Sequence, residues 1–311
     1  MRKPAWLRSP LIAGARALGV RRLLREHRLH TVCEEASCPN AGRCWDEGHA
    51  AFLILGEVCT RACAFCDVTP GRPAPPDPEE PARLAQAVRR LGLRHVVITS
   101  VTRDDLPDGG AAHFAAALAA LRDPSAEGEP PTVEALIPDF RGDAAALACV
   151  LASRPEVLNH NVETVPRLYP RVRPAARWER SLELLRRAAA DSLAPGGRMI
   201  VKSGMMLGLG ETLEEVRQAM AALRQAGVTA LTVGQYLRPA WRNLPVVRYW
   251  TPEAFDALGE EARAMGFDPV ESHPLARSSF RAGAMLGASG REANPGRGSL
   301  APTPLPGGEG L

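Results

Sequence analysis

Six of the seven cysteines, Cys33, Cys38, Cys44, Cys59, Cys63 and Cys66, fall within 34 of the 311 residues. Cys59, Cys63 and Cys66 have C-x3-C-x2-C spacing, in Val58-Cys59-Thr60-Arg61-Ala62-Cys63-Ala64-Phe65-Cys66-Asp67, directly after the first strand candidate. Three thiolates on one short loop can hold three irons of a cubane [4Fe-4S] cluster and leave the fourth iron without a protein ligand, a corner at which a small molecule can chelate. Cys33, Cys38 and Cys44 form a second triad with C-x4-C-x5-C spacing. Six thiolates exceed the four irons of one cube, so a second triad asks for a second cluster. Disulfides suit an oxidising compartment, and residues 1 to 30 lack the continuous apolar core of a secretory signal. A structural zinc site closes a tetrahedron from C-x2-C pairs or a Cys/His set, which three thiolates on one loop do not. Cys149, in an Ala/Leu helix, reads as a small buried core residue.

The elements that must position these residues follow from periodicity. Strand candidates are Ala51 to Val58, His95 to Val101, Thr132 to Ile137, Val157 to Asn161, Met199 to Gly204 and Ala230 to Tyr236. Helix-period stretches follow each one, near 80 to 92, 111 to 123, 142 to 153, 178 to 190, 212 to 227 and 252 to 266. Six such pairs predict an α/β fold with a parallel sheet, as a partial (β/α)6 TIM-type barrel or an open doubly wound sheet. Polar loops follow the strands, including Arg103-Asp104-Asp105, Pro138-Asp139, Asn159-His160-Asn161 with Glu163, and Gly208-Leu209-Gly210-Glu211. In a parallel barrel they share one mouth with the Cys59 loop.

Pro70 to Pro81 holds six prolines in twelve residues and reads as a stiff connector. Gly287 to Leu311, with seven glycines and four prolines, reads as a disordered tail. The formal net charge is +3 and 45% of residues are hydrophobic, a globular composition. No apolar run approaches the ~18 residues that cross a bilayer, so the expectation is a cytoplasmic protein with no membrane partner. Residues 1 to 30 set eight cations against the single acid Glu26, with a helix expected from Ala13 to Arg28. That basic segment is a solvated face or a docking surface for an acidic partner.

The first triad, at this place in an apparent partial barrel, resembles the radical S-adenosylmethionine superfamily. The phrase from Cys33 to Trp45 makes the resemblance specific to the lipoyl synthase family. Further phrases of that family are Lys3-Pro4-Ala5-Trp6-Leu7-Arg8, Thr99 to Leu106, Ile137-Pro138-Asp139-Phe140, Asn159 to Tyr169, Lys202-Ser203-Gly204, Gly234-Gln235-Tyr236-Leu237 and Arg277-Ser278-Ser279. The likeness runs from about residue 2 to 283. It implies a basic N-terminal extension with the auxiliary cluster motif over 1–50, a barrel over 51–270, a segment over 271–283 that closes the auxiliary cluster, and a tail over 284–311. It further implies that Ser279 supplies the fourth ligand of the auxiliary cluster. An alkoxide is harder than a thiolate, so its bond to iron can be released when the cluster is taken apart.

The cofactors implied are two [4Fe-4S] clusters and S-adenosylmethionine, which occupies the open iron held by Cys59, Cys63 and Cys66. One electron breaks its sulfonium bond and yields a 5'-deoxyadenosyl radical. The activity implied is insertion of two sulfurs at C6 and C8 of a protein-bound octanoyl-lysine, with two S-adenosylmethionine consumed and the auxiliary cluster as sulfur donor. The partners implied are octanoylated lipoyl carrier domains of 2-oxoacid dehydrogenase E2 subunits and the glycine cleavage H protein. A ferredoxin or flavodoxin type reductant and an iron-sulfur carrier protein complete the set, with no nucleic acid.

Four residues are candidates to hold S-adenosylmethionine. Glu163 can accept from its ribose hydroxyls or amino group, Arg173 can pair with its carboxylate, and Asn161 offers both a donor and an acceptor. Lys202, one of only two lysines in the chain, can hold a carboxylate or carbonyl. Each is equally readable as a salt-bridged structural group. Two residues depart from the family pattern: Phe280 stands for a tyrosine, and Asn243 for a histidine before Leu244-Pro245-Val246. The competing readings are a biotin-synthase-like sulfur inserter, a non-catalytic iron-sulfur regulator that binds nucleic acid, and a zinc-binding interaction module.

Overall fold

The computed structural model describes residues 2–8, 14–35, 38, 40–46, 49–126, 128–194, 199–279 and 283. Phe280 and the expected tail over 284–311 lie outside them. An N-terminal layer holds α1 (Ala15–Glu26), β1 (His30–Thr31), α2 (Val32–Glu35) and α3 (Ala41–Asp46). There follow β2 (Ala50–Ile54), the short pair β3 (Val58–Cys59) and β4 (Thr69–Pro70), α4 (Glu80–Arg90), β5 (His95–Ser100), α5 (Ala111–Leu121), β6 (Thr132–Leu136) and α6 (Ala144–Ala152). The last third holds β7 (Val157–Asn159), α7 (Tyr169–Val172), α8 (Trp178–Ser192), β8 (Ile200–Leu207), α9 (Leu213–Gln225), β9 (Ala230–Gln235), α10 (Pro252–Ala264) and β10 (Val270–Ser272).

The main sheet runs β1-β2-β5-β6-β7-β8-β9-β10. All its pairings are parallel except β1 with β2, and its two edges do not pair with each other, so this is an open, partial barrel. Side chains on a strand alternate between faces. Val133 and Ala135 of β6, Val201 of β8 and Leu231 and Val233 of β9 enter the large core under the helices. The opposite, concave face carries Glu134, Lys202, Thr232 and Gly234. Ala51 and Val97 form a separate small apolar cluster, with Val32 and Leu136 against it.

All six expected strands and helices are present, with three differences. The first strand stops at Ile54, because Leu55 (φ 68°) and Gly56 (φ 91°) enter the left-handed region and turn the chain before Cys59. Glu80 fixes that turn: its Oε2 accepts from Leu55 N at 2.8 Å and from His113 Nε2 at 2.7 Å. Second, β8 continues to Leu207. Third, β10 adds a seventh parallel strand on β9, so the sheet extends beyond residue 270. The proline-rich stretch contributes Pro70 to β4 and Pro81 to the first turn of α4, where a missing N–H costs nothing.

Two buried histidines give the fold a pH dependence. His160 Nδ1 donates to Ile137 O and its Nε2 accepts from Ser181 Oγ, each at 2.9 Å. Burial pulls His160 and His95 down to about 4. Both rings stay neutral in the folded chain at a pH where the unfolded chain takes up protons. Their contribution is therefore complete above pH ~6.5 and falls as pH drops toward 4, by about 2 kcal/mol per ring at pH 5. Urea midpoints of the metal-free protein should fall between pH 7.5 and 5; equal midpoints would contradict the buried neutral rings.

Candidate functional site

The Cys59 to Cys66 loop leaves the sheet at the C-terminal end of β2 and is held by three other loops. Cys59 Sγ accepts from the N–H groups of Arg61 (3.4 Å) and Thr102 (3.3 Å). Thr60 Oγ1 donates to Thr102 O at 2.8 Å, Ala64 N to Val172 O at 2.9 Å and Leu244 N to Ala64 O at 3.0 Å. Asn243, the departure from the family pattern, donates from its carboxamide to Cys66 O at 2.8 Å. A hydrogen-bond donor on the cysteine loop is thus kept without an imidazole.

Arg61, between the cysteines, is buried and forks onto Asp104 (2.7 and 2.9 Å) and Asp139 (2.6 Å). Asp139 also accepts from Arg180 at 3.1 Å, and Arg61 holds its carboxyl far below the ordinary range. Burying such charges is tolerable only because each is paired and hydrogen-bonded. Burial pushes the Cys66 thiol up to about 12 and raises Cys63, the latter opposed by Arg173. Without metal these thiols are protonated at neutral pH, and iron would displace the protons.

Asn161, Glu163 and Arg173 meet beside Cys63. Glu163 sits at φ 67° and bridges to β8: its N donates to Gly204 O at 3.0 Å, and Met206 N donates to its carbonyl at 2.8 Å. Enclosure raises its carboxyl, with Arg173 opposing. Arg173 Nη1 donates to Asn161 O (2.9 Å) and Val162 O (3.1 Å), while Arg173 Nε and Asn161 Oδ1 are buried without a partner. A Cβ on Gly204 would lie 2.8 Å from Asn161 Oδ1, so the glycine keeps this cradle open. Orphaned polar atoms beside a thiol triad fit a polar ligand on the open iron.

Lys202 lies apart from this group. Its Nζ donates to both oxygens of Glu134 at 3.1 Å and to Ser278 O, and Asn159 Nδ2 completes the Glu134 shell at 2.7 Å. Holding a cofactor would require Lys202 to leave Glu134; its geometry matches the structural alternative.

Ser279 lies in the same cavity as the second triad. Cys33, Cys38, Cys44 and Ser279 line one cavity with Asn40, His49, Ala50, Ala51 and Arg277. Cys38 is pulled down to about 6 by a hydrogen bond from Cys33 and by Arg277, and Cys33 is raised in return. Three thiols and one hydroxyl around one cavity are a donor set whose number matches the four corners of a four-iron cube. A single zinc ion with bonds of ~2.3 Å would draw its thiolates to within ~4 Å of one another. Among the described residues, His30, Glu35 and Glu57 alone bring three ligand atoms within 4.8 Å, and neither cysteine triad does. This cavity borders Ala50, at the start of β2, whereas Cys59 follows that strand's end. The two triads therefore lie at opposite ends of the concave face, with the first at the mouth expected for the strand-end loops.

The Radical SAM superfamily model matches residues 53–223. The chain is 55% identical to lipoyl synthase of Nitrosococcus oceani over 282 residues, covering 90% of this chain and 85% of that protein. It is 54% identical to lipoyl synthase of Methylococcus capsulatus, covering 94% and 88%. The chain belongs to the lipoyl synthase family. Its fold is also that of Streptococcus suis SuiB bound to S-adenosylmethionine (TM-score 0.52, 9% identity, 72% of this chain and 50% of that one). Methylornithine synthase shares it as well (TM-score 0.51, 13% identity, 80% and 70%). Family membership carries with it S-adenosylmethionine and [4Fe-4S] chemistry.

Sequence reasoning left several residues of this lipoyl synthase family site without a role. Arg61 and Asp139 were visible inside cysteine and strand-end motifs, but their pairing joins residues 78 apart. Glu134 left a signal: a lone acid in an apolar strand must meet a cation, and Lys202 is that cation. Asn40, which donates to Leu275 O at 2.7 Å, left none.

Gly234 tests this arrangement. A Cβ there would overlap Ala276 O, so Gly234→Ala should push away the segment that carries Ser279. Iron per reconstituted chain should fall from about eight toward four, with reductive cleavage of S-adenosylmethionine retained. Unchanged iron would show that Ser279 does not depend on this contact.

Proposed function

We infer that the chain is a lipoyl synthase that converts a protein-bound N6-octanoyl-lysine into N6-lipoyl-lysine. Sulfur goes in at C6 and C8, two S-adenosylmethionine are cleaved, and the auxiliary cluster is the consumed sulfur donor. The observation that carries the reading is one cavity lined by Cys33, Cys38, Cys44 and Ser279, separate from the triad Cys59, Cys63 and Cys66.

The chemistry requires two different sites because both carbons are unactivated. No side chain deprotonates an alkyl carbon near neutral pH, since tuning a base by ~5 units falls far short of the pKa gap. When bound, the first cluster supplies the electron that releases an adenosyl radical from S-adenosylmethionine. Cys59, Cys63 and Cys66 hold that cluster in our reading. Arg173, whose guanidinium hydrogen-bonds only uncharged oxygens, can pair with the cofactor carboxylate, and Glu163 and Asn161 receive its polar groups. Lys202 and Asn161 hold the Ser279 segment through Ser278, the latter at 2.7 Å from Ser278 Oγ. Ser279 would be the one oxygen ligand of the auxiliary cluster, a weaker tie to iron than the three thiolates.

The substrates in this reading are lipoyl carrier domains of 2-oxoacid dehydrogenase E2 subunits and the glycine cleavage H protein. Electrons come from a ferredoxin or flavodoxin, and a carrier protein rebuilds the spent cluster. The chain works in the cytoplasm, without nucleic acid or membrane; no helix among the described residues is long and apolar enough to cross a bilayer. The basic N-terminal face is smaller than its formal charge. Arg21 pairs with Glu34 at 3.0 Å and Arg22 with Glu26 at 2.8 Å, while Arg2, Lys3, Arg8, Arg25 and Arg28 are exposed.

Anaerobic incubation of the reconstituted protein with an octanoyl-lysine peptide, S-adenosylmethionine and dithionite should give a product heavier by two inserted sulfurs. Isotopic sulfide preloaded into the auxiliary cluster should appear in it. Ser279→Ala should still form 5'-deoxyadenosine and transfer no sulfur. Full product yield from that variant would remove the serine from the ligand set.

A further inference from the structure

The loop that follows β9 has a surface that the chemistry above does not use. From residue 237 to 250 it contains three arginines and no acid. Arg238, Trp241, Arg242, Pro245, Val247 and Arg248 are exposed, and Trp241 reaches 87% exposure. Every other tryptophan is less exposed, and Trp45 and Trp250 are fully or almost fully enclosed. A large ring in water, with charged and apolar neighbours alternating, needs an explanation beyond the fold.

The loop is held rigidly although its outer face is bare. Arg238 caps the carbonyls of Ala240 (3.1 Å) and Trp241, Asn243 Oδ1 accepts from Ala240 N at 3.2 Å, and Val247 N donates to Gly208 O at 2.8 Å. Trp241 is thus presented on a fixed backbone. The same loop touches the first cysteine triad: Asn243 bonds Cys66 O, Leu244 bonds Ala64 O, and Arg242 pairs with Asp67 at 2.6 Å. Rigid, exposed tryptophan and arginine side chains are the commonest anchors of protein interfaces, because they gain much contact area for little lost freedom.

We propose that the loop over residues 238–248 is the docking surface for the acidic carrier domain that bears the octanoyl-lysine. The proposal rests on the lipoyl synthase reading, in which the substrate side chain arrives attached to a folded protein. That protein must come to rest on the rim around the Cys59 to Cys66 loop, and this loop forms part of that rim. The occupant carries an apolar patch for Trp241, Pro245 and Val247 and carboxylates for Arg238, Arg242 and Arg248. Of the two basic surfaces, this one is in direct contact with the Cys59 to Cys66 loop, whereas among the described residues α1 makes no hydrogen bond or ion pair with that loop.

The test is fluorescence anisotropy of a labelled octanoylated carrier domain titrated with wild type, Trp241→Ala and Arg248→Gln, at 50 and 300 mM salt. Trp241→Ala should weaken binding about tenfold or more at both salts. Arg248→Gln should weaken it more at 50 mM than at 300 mM. With a short octanoyl-lysine peptide, which has no surface to dock, both variants should turn over as wild type does. Carrier affinity unchanged in Trp241→Ala overturns the proposal, and so does an equal loss of activity on peptide and carrier. It is also overturned if a short DNA duplex binds through Trp241 and the carrier does not displace it. Binding is read without turnover, so a wild type that holds the carrier through Trp241 yet inserts no sulfur supports the surface and defeats only the functional reading.

Discussion

The irregular segment from Pro274 to Ser279 must stay pressed against the concave face of the sheet, and both halves of the site depend on it. Its carbonyls are too enclosed to be left without donors. Gln235 N takes Pro274 O at 3.1 Å, Asn40 takes Leu275 O at 2.7 Å, and Lys202 takes Ser278 O. Ala276 lies on Gly234, where no side chain intervenes. These donors come from the N-terminal layer, β8 and β9, so three regions distant in sequence meet on six residues. The cavity that joins three cysteines of the first fifty residues to Ser279 exists because of that meeting.

Lys202 and Glu134 bear the energetic cost of this arrangement. Both are almost fully buried, and a buried ion pair contributes little net stability compared with apolar packing. Its value lies in register: removal of either partner leaves a buried charge and costs about 3–5 kcal/mol, so alternative placements of the segment are penalised. The first triad uses the same device in Arg61, Asp104, Asp139 and Arg180. Arg173 differs, since its Nη1 meets only uncharged oxygens and its Nε meets none. Its hydrogen-bonding capacity is therefore not fully used, even though Glu163 lies close enough to feel its charge.

Most of the architecture was legible because it is periodic. Six strand and helix pairs were visible, since β-branched runs and amphipathic stretches repeat with different periods. What escaped was short or irregular. Val270–Ser272 is too brief to show alternation, and the turn at Leu55 depends on Glu80 reaching back 25 residues. Spacing identified the two cysteine triads but not their separation along the sheet. Nor did it show that Lys202 would be engaged by Glu134, because long-range pairing leaves no local pattern. Asn243 is the instructive case: the residue type departs from the family, and only the structure shows that its carboxamide donates to the cysteine loop at Cys66 O.

The separation of the triads along the concave face constrains the chemistry. The second cavity borders Ala50 and Ala51, and the first triad follows the other end of the same strand, so the gap is of the order of one strand of five residues, ~15 Å. A cluster held by Cys59, Cys63 and Cys66 and one held at the second cavity would lie on either side of an extended chain bound in this gap, so the residues that line it would have to position that chain. The concave face is graded for this purpose. Ala51, Val97 and Leu136 offer apolar contact, while the charges of Glu134 and Lys202 satisfy each other and Asn159 Nδ2 donates to Glu134.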